Sequence, residues 1–243
     1  MNDLIDLYLI DAGNSRLKIG ACKNGKIIKL KHVDNFKTLQ QKEFKQNIPI
    51  AVSSVLNFDF KSHIEGLKNP IFWLNNLVAL PFKINYLNPE TLGIDRICNV
   101  AAISKTNEFK PRLSIDIGTC IKFDFLNAKN EYEGGSISPG LNLRYKALNL
   151  YTDKLPLITA SLNPKIIGKS TETSIQSGVQ NGMKAEIIGL INVYKDKYPN
   201  LIIYITGGDA HYFELAQKNS IFAVENLTLK GIIEIYYLNA KSS

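Results

Sequence analysis

Residues 7–20 read LYLIDAGNSRLKIG and predict two β-strands that are joined by a tight turn. The run from Leu4 to Ile10 is almost continuously apolar, which is typical of a strand buried on both faces. It ends at Asp11, and small turn-forming residues follow before polar and apolar residues alternate from Leu17 onward. A carboxylate is therefore expected at the tip of a buried strand, beside backbone N–H groups that can bind an anion. This arrangement suits a phosphate and a hydrated magnesium ion.

The same pattern occurs again in residues 113–125, LSIDIGTCIKFDF, where an apolar strand ends in Asp116. Taken alone, the first hairpin also fits an ordinary turn that Asp and Asn merely shape, because these residues are common at turns. Two copies, one in each half of the chain, indicate a duplicated domain with a cleft between the copies. The layout resembles that of the acetate and sugar kinase, Hsp70 and actin superfamily, in which the two hairpins hold the phosphates of one nucleotide.

The order of the predicted elements supports this duplication. The first half predicts β-β-β-α-β-α-β, the order of a ribonuclease-H-like half-domain, and the second half begins again with three antiparallel strands. A polar segment that includes Pro111 separates the halves. We therefore expect an α/β protein with two ribonuclease-H-like (actin-like ATPase) domains, residues 1–110 and 111–243, and a nucleotide cleft between them.

Three segments carry further structural predictions. Residues 36–46 predict a short polar helix, whereas residues 134–140 contain too many glycines for a simple strand and predict close approach of the backbone to another group. A long helix is expected to begin near Ser170. Its apolar stripe consists of Ile175, Val179, Met183, Ile187 and Ile191. A neighbouring face carries Gly178, Gly182 and Gly189, which implies a close packing partner, either another helix or a second subunit.

The composition of the 243 residues narrows the functional classes. The chain has no apolar run of membrane-spanning length and no basic leader at its N-terminus. Its three cysteines are few, far apart and odd in number, which fits a reducing cytoplasm. The net charge is +7, but the lysines are dispersed and form no arginine-rich tract. We therefore expect a cytoplasmic protein that binds neither nucleic acid nor membrane.

Asp95 and Arg96 are chemically notable because they lie in a loop just before a predicted helix. A carboxylate near a transferring phosphoryl group can accept the proton of an incoming hydroxyl, and an arginine can bind a carboxylate through two parallel hydrogen bonds. Local sequence alone favours the plainer alternative, an acid at a helix start with a salt bridge in solvent. Tyr86 alone would be taken as a core residue.

Taken together, the motifs resemble those of the type III pantothenate kinases along essentially the whole chain. The matching segments are DAGNS (11–15), Tyr86 ahead of GIDR (93–96), DIGT (116–119) with Asp124, GGSISPG (134–140), LP (155–156), IGKST (167–171), SG (177–178) and TGG (206–208). Each segment is short, and the order and spacing of all of them carry the resemblance.

The resemblance implies that ATP and Mg²⁺ phosphorylate the primary hydroxyl of pantothenate to 4′-phosphopantothenate, the first step of coenzyme A biosynthesis. It implies that Asp95 takes the hydroxyl proton and that Asp116 binds a monovalent cation, K⁺ or NH₄⁺. The implied ATP contacts are Asp11, Ala12, Gly13, Asn14, Ser15, Arg16, Leu17, Lys18 and Thr119. The implied pantothenate contacts are Tyr86, Gly93, Ile94, Asp95, Arg96 and Thr171, with Thr171 supplied by the partner subunit of a homodimer.

The chain departs from the family at Ile121 and Lys122, where the family often has threonine at both positions. Either the Lys122 ammonium replaces or weakens the monovalent cation, or strand alternation points it outward. Two other functions stay open: a related small-molecule kinase with a different acceptor, and a non-catalytic ATP-binding accessory or regulatory protein. Asp11, Asp95 and Asp116 favour the enzyme, because a pure binding protein needs no base.

Overall fold

The computed structural model describes residues 5–13, 17–56, 58–107, 109–213, 215 and 220–240. These residues contain eleven β-strands and six α-helices, which are numbered in chain order. The strands are β1 (Leu7–Ala12), β2 (Leu17–Lys23), β3 (Lys26–Val33), β4 (Ile50–Ser54), β5 (Ile71–Trp73), β6 (Lys83–Ile84), β7 (Arg112–Ile117), β8 (Cys120–Leu126), β9 (Glu131–Pro139), β10 (Ile202–Thr206) and β11 (Ile221–Ala223). The helices are α1 (Phe58–Glu65), α2 (Ile94–Ser104), α3 (Leu141–Leu150), α4 (Thr171–Gln176), α5 (Gly182–Lys197) and α6 (Leu227–Ala240).

The chain divides into two compact units. Unit 1 comprises Met1–Glu108, Asn130–Glu133 and Asn226–Ser243, and unit 2 comprises Phe109–Lys129 and Gly134–Glu225. This division differs from the expected domains 1–110 and 111–243, because the C-terminal helix α6 and the start of β9 group with the first half. Order along the chain could not show this, since both segments join unit 1 through contacts with residues far away in sequence.

The sheet of unit 1 has the strand order β3-β2-β1-β4-β5. Strands β1, β2 and β3 form the predicted antiparallel meander, and β4 and β5 continue the sheet in parallel. Strand β1 lies at the centre, and its side chains Leu7, Leu9 and Ile10 are fully buried. The continuous apolar run is thus the consequence of a central strand that is covered on both faces.

The predicted helix over residues 36–46 is wrong. The structure has two short 3₁₀ turns, Phe36–Thr38 and Gln41–Glu43, separated by extended backbone at Leu39 and Gln40. Leu39 and Phe44 are both almost fully buried in the core of unit 1. Their spacing of five residues does not fit one face of an α-helix, so the chain turns twice to bury both side chains.

Helix α6 packs against α2 so closely that only glycine fits at the crossing. A Cβ atom built on Gly231 would lie 1.8 Å from the carbonyl oxygen of Cys98. Beside this contact the buried hydroxyl of Thr228 donates a hydrogen bond to Oδ1 of Asn99, at 3.0 Å. These contacts hold the C-terminal helix in unit 1 and fix the position of the helix that carries Asp95.

We expect Gly231→Ala to lower the free energy of unfolding by about 3 kcal/mol, because overpacking against backbone forces the two helices apart. Denaturant unfolding measures the change. Gly189→Ala in α5 is the matched control, since a Cβ there meets nothing within 4 Å among the described residues. The control is expected to be neutral or to stabilise by about 0.5–1 kcal/mol. Equal effects of the two substitutions would contradict the proposed α2–α6 packing constraint.

In unit 2 the strands follow the order β11-β10-β7-β8-β9. Strands β7 and β8 form the predicted antiparallel hairpin, and β10 and β11 extend the sheet in parallel. Strand β9 runs through Gly134 and Gly135 to Pro139, but Gly134 has a φ of +101°, so this stretch is not a simple strand, as its glycines predicted. The glycines do mark close backbone approach, because a Cβ on Gly135 would lie 1.7 Å from the carbonyl oxygen of Phe123 in β8.

The long helix predicted after Ser170 is present as three consecutive helical segments. Ser170 caps α4 by accepting a hydrogen bond from the backbone of Thr173, a π-helical turn follows at Ser177–Asn181, and α5 continues to Lys197. All five residues of the predicted apolar stripe are buried in the core of unit 2. Cβ atoms built on Gly178, Gly182 and Gly189 would meet nothing within 4 Å, so no described residue packs closely on this glycine face.

No helix in the described part of the chain is both long and apolar enough to span a lipid bilayer.

Candidate active site

Asp11 lies near the end of the central strand of unit 1. It faces Lys18 of β2 in the antiparallel register and Ser53 of β4 in the parallel register, and its side chain is half-buried. The carboxylate of Asp11 thus lies at the tip of the strand, as the sequence predicted. Of the residues expected to contact ATP beside it, Ala12, Gly13, Leu17 and Lys18 flank the turn. Asn14, Ser15 and Arg16 lie outside the described residues.

Asp95 is in the first turn of α2, which begins at Ile94 after the N-cap residue Gly93. Its Oδ1 accepts a hydrogen bond from the backbone N–H of Arg96, at 2.9 Å. A Cβ on Gly93 would lie 2.7 Å from the same oxygen. The glycine therefore leaves room for the carboxylate, which lies at the positive end of a helix dipole.

The charges of Asp11 and Asp95 both affect the pKa of one buried thiol, that of Cys98. Burial raises the pKa of Cys98 well above its ordinary value, and the negative charges of Asp11 and Asp95 raise it further. Cys98 is fully buried, so its neutral thiol is a packing group. Both carboxylates, Asp11 near the end of β1 and Asp95 at the start of α2, are thus within electrostatic range of Cys98.

Arg96 belongs to a cluster with two tyrosines. Its side chain is buried, and Cζ of the guanidinium lies 5.9 Å from the centroid of the Tyr132 ring. The ring of Tyr86 lies 5.9 Å from the same ring. A guanidinium over an aromatic ring is attracted to it and keeps a defined plane. The structure thus brings the predicted residues Tyr86 and Arg96 together.

Tyr132 is the residue that the sequence reasoning missed. It is fully buried at the start of β9, next to the pairing of that strand with β6. In the sequence it looked like an ordinary core residue of a third strand. The only available signal was the two-residue strand β6, which is too short for periodicity to identify.

The turn after β7 in unit 2 is enclosed by backbone. The N–H of Gly140 donates to the carbonyl oxygen of Thr119, at 3.0 Å, and a Cβ on Gly140 would lie 2.0 Å from the carbonyl oxygen of Gly118. Gly207 has a φ of +104°, and a Cβ there would lie 2.2 Å from the carbonyl oxygen of Ile117. The backbones of Gly140 and Gly207 therefore pack directly against this turn, which leaves no room for a larger residue at either position.

Asp116 forms an ion pair with Lys122 across the hairpin. The two residues are paired in the β7–β8 register, and Nζ of Lys122 lies 2.8 Å from Oδ2 of Asp116. The Lys122 side chain is 15% exposed and the Asp116 side chain 14% exposed. The alternative that strand alternation points Lys122 outward is therefore wrong.

Thr171 is the exposed first residue of α4. It lines a cavity of about 950 Å³ between α3, the segment that follows it, and α4. The other lining residues are Arg144, Ala147, Leu148, Tyr151, Thr152, Leu155, Ser174, Ile175, Gly178 and Val179. Thr171 thus belongs to a largely apolar cavity in unit 2.

Within the described residues, no group of three or more His, Cys, Asp and Glu side chains could hold a metal ion. Mg²⁺ in kinases is commonly bound by one or two carboxylates together with substrate phosphates. The single carboxylate of Asp11 near the end of β1 fits that mode.

Comparison with known proteins gives a consistent result. A family model described as type III pantothenate kinase matches residues 7–193. A type III pantothenate kinase from Christiangramia forsetii is 41% identical over 239 residues, covering 95% of this chain and 98% of that protein. A solved structure from Campylobacter jejuni, named for the Baf family of transcriptional activators, is 25% identical with a TM-score of 0.63 and covers 96% of this chain and 99% of that one.

A more distant solved structure supports the fold alone. The inorganic polyphosphate/ATP-glucomannokinase from Arthrobacter sp. strain KM is 15% identical, with a TM-score of 0.50 over 98% of this chain and 99% of that one. Together with the two sheets, each of which combines parallel and antiparallel strands, this similarity confirms the predicted fold class of ribonuclease-H-like (actin-like ATPase) domains.

Proposed function

Because the chain belongs to the type III pantothenate kinase family, we propose that it transfers a phosphoryl group from ATP to the primary hydroxyl of pantothenate. The chain is a kinase, and the product, 4′-phosphopantothenate, places it at the first step of coenzyme A biosynthesis. The observation that supports this assignment at the level of residues is the placement of two carboxylates, Asp11 near the end of β1 and Asp95 at the start of α2, where its Oδ1 accepts the Arg96 N–H at 2.9 Å.

Asp95 is the proposed base. Its carboxylate lies at the start of α2 and is oriented by the backbone N–H of Arg96. As the pantothenate hydroxyl attacks the γ-phosphorus, the bond from that phosphorus to the β,γ-bridging oxygen breaks and ADP leaves, while the proton of the hydroxyl passes to the Asp95 carboxylate. Gly93 supports this role because it keeps the space beside Oδ1 open.

ATP is assigned to the two turns that follow the central strands. Asp11 and the residues Ala12–Lys18 are proposed to contact its phosphates in unit 1, and Thr119 is proposed to do so in unit 2. Mg²⁺ supplies neutralisation of the phosphate charge when it is bound, and Asp11 is the residue that would hold it.

Arg96 is proposed to bind the carboxylate of pantothenate, since a guanidinium matches a carboxylate through two parallel hydrogen bonds. The stack on Tyr132 orients the guanidinium plane before the substrate arrives. Tyr86, Gly93 and Ile94 are the remaining proposed pantothenate contacts in unit 1.

The monovalent cation implied by the resemblance is a separate question. A K⁺ or NH₄⁺ ion at Asp116 would need the carboxylate as its ligand, but that carboxylate already carries the Lys122 ammonium at 2.8 Å. The residues present therefore do not fit a free monovalent cation.

We also propose that the chain acts as a homodimer and that Thr171 completes the pantothenate site of the partner. Support comes from a run of exposed apolar side chains within residues 150–167 of unit 2. These side chains are Leu150, Tyr151, Leu157, Leu162, Ile166 and Ile167. Apolar patches of this kind commonly mark protein interfaces. The open glycine face of the Ser170–Lys197 helical segments allows a second backbone to approach.

We expect Ile166→Glu combined with Ile167→Glu to convert the dimer to monomers, because buried charges without partners oppose association. Light scattering with size-exclusion chromatography measures the mass. Leu77→Glu is the matched control: Leu77 is 94% exposed in unit 1, against 78% and 71% for the two isoleucines. A native chain that is monomeric at every concentration would contradict the dimer, as would an unchanged mass in the double variant.

The three cysteines are free, which fits a reducing compartment, and we place the reaction in the cytoplasm.

A substrate panel tests the assignment of the acceptor. Pantothenate is expected to be phosphorylated with a kcat/KM at least about 100-fold above that of other primary alcohols, because a site built for a carboxylate rejects acceptors that lack it. A comparable rate with a sugar would move the function to a related small-molecule kinase.

The name of the Campylobacter jejuni structure motivates one other candidate, an accessory protein in gene regulation. This role predicts DNA binding that weakens steeply with salt and that survives Asp95→Asn. Fluorescence anisotropy with duplex DNA over a salt series distinguishes it from catalysis.

A further inference from the structure

We propose that the Lys122 ammonium is the built-in cation of the Asp116 turn, so that this kinase works without added K⁺ or NH₄⁺. The ion pair itself follows from the geometry of unit 2, whereas its effect on turnover rests on the proposed function.

The hairpin determines that the two side chains meet. Asp116 and Lys122 are directly opposite in the antiparallel register of β7 and β8, and opposite residues of such a pair lie on the same face. Their side chains are both at most 15% exposed, so the pair is enclosed on nearly all sides. The lysine is therefore held beside the carboxylate and is not a solvated surface group.

In this enclosed ion pair the Lys122 ammonium compensates the charge of the Asp116 carboxylate, as a bound cation would. A carboxylate taken out of water needs a compensating charge, and the Lys122 ammonium supplies it at 2.8 Å. A K⁺ ion beside the same carboxylate would meet repulsion from the ammonium at short range. Binding of K⁺ would thus require Lys122 to leave Asp116.

The turn ties this charge to the proposed phosphate site. Oδ1 of Asp116 lies 3.8 Å from a Cβ built on Gly118. The carboxylate therefore faces the turn formed by Gly118 and Thr119, and Thr119 is proposed to contact ATP. A tethered ammonium there neutralises the acid without the cost of ordering a free ion. Negative charge on the transferring phosphoryl group is then not opposed by an uncompensated Asp116.

The first test is the cation dependence of turnover. In tetramethylammonium buffer free of K⁺ and NH₄⁺, the native chain is expected to keep its activity within about twofold when K⁺ is added. Lys122→Thr, which restores the residue common in the family, is expected to become K⁺-dependent by about tenfold or more. Stimulation of the native chain by K⁺ to the extent expected for the variant overturns the proposal.

Two control variants separate charge from packing. Lys122→Met keeps the bulk of the side chain but removes the charge, and it is expected to lose activity without full rescue by K⁺ because the methionine fills the space. Lys83→Met removes an exposed lysine that pairs with Glu131 at 3.2 Å in unit 1. It is expected to behave like the native chain in every salt.

A second measurement does not depend on turnover. Thermal unfolding is followed with a non-hydrolysable ATP analogue, in K⁺ or in tetramethylammonium at equal ionic strength. The native midpoint is expected to be the same in both salts, whereas K⁺ is expected to raise that of Lys122→Thr saturably by about 3 °C. A saturable K⁺ effect on the native chain overturns the proposal, even if Lys122→Thr fails to fold. Absence of pantothenate phosphorylation in every salt would instead defeat the proposed function and leave this measurement decisive for the cation.

Discussion

Asp95→Asn is expected to lower kcat by about 100- to 10,000-fold, the contribution usual for a positioned general base. An amide at this position keeps the size of the side chain and can still accept the hydrogen bond from the Arg96 N–H, but it cannot take the hydroxyl proton. The dissociation constant for ATP should change little, since ATP is assigned to other residues. Steady-state kinetics and calorimetric titration with ATP measure the two quantities separately.

Asp59→Asn is the matched control for this variant. Asp59 also lies in the first turn of a helix, α1, and its side chain is exposed. Its substitution should leave both kcat and ATP affinity unchanged. If Asp95→Asn keeps near-native kcat, or if it loses ATP binding as completely as turnover, Asp95 is not the base.

Arg96→Lys is expected to raise the KM for pantothenate about 100-fold with a smaller change in kcat and no change in the KM for ATP. Lysine keeps the charge but lacks the planar fork that binds a carboxylate through two bonds, and it stacks less well on Tyr132. Initial-rate kinetics with each substrate varied in turn measure the effect.

The amide analogue of pantothenate makes this prediction specific to the carboxylate. The native chain should use the acid far better than the amide, whereas Arg96→Lys should lose most of that preference. A preference that is unchanged in the variant would show that Arg96 does not bind the carboxylate, whatever happens to KM.

Local sequence patterns predicted the hairpins and their acids well, for a physical reason. A strand such as β1 that is covered on both faces must be apolar throughout, so it leaves a clear record in the sequence. Asp11 and Asp116 interrupt these patterns at the strand tips. Polar residues at such positions are recognisable because they break a rule that the neighbouring residues keep.

Features that depend on distant contacts could not be predicted in the same way. Helix α6 follows unit 2 in the sequence, yet it belongs to unit 1, where Gly231 closely approaches Cys98 of α2. Tyr132, whose ring lies beside Arg96, is positioned by the short pairing of β6 with β9. Neither contact has a periodic signature in the sequence.

The glycine-rich stretches show a mixed result. Glycine at 135 and 140 does mark close backbone approach, as expected, but the neighbours are β8 and the turn at 118–119. For Lys122, alternation gave two possible faces and could not choose between them, because the choice depends on the register of the β7–β8 hairpin.

The most direct test of the central claim is the identification of the product. The purified native chain is incubated with ATP, Mg²⁺ and pantothenate, and mass spectrometry follows ADP and any phosphorylated product, with Asp95→Asn alongside. The account predicts 4′-phosphopantothenate in an amount equal to the ADP formed by the native chain, and almost none from the variant. ATP binding without any phosphorylation of pantothenate by the native chain would contradict it.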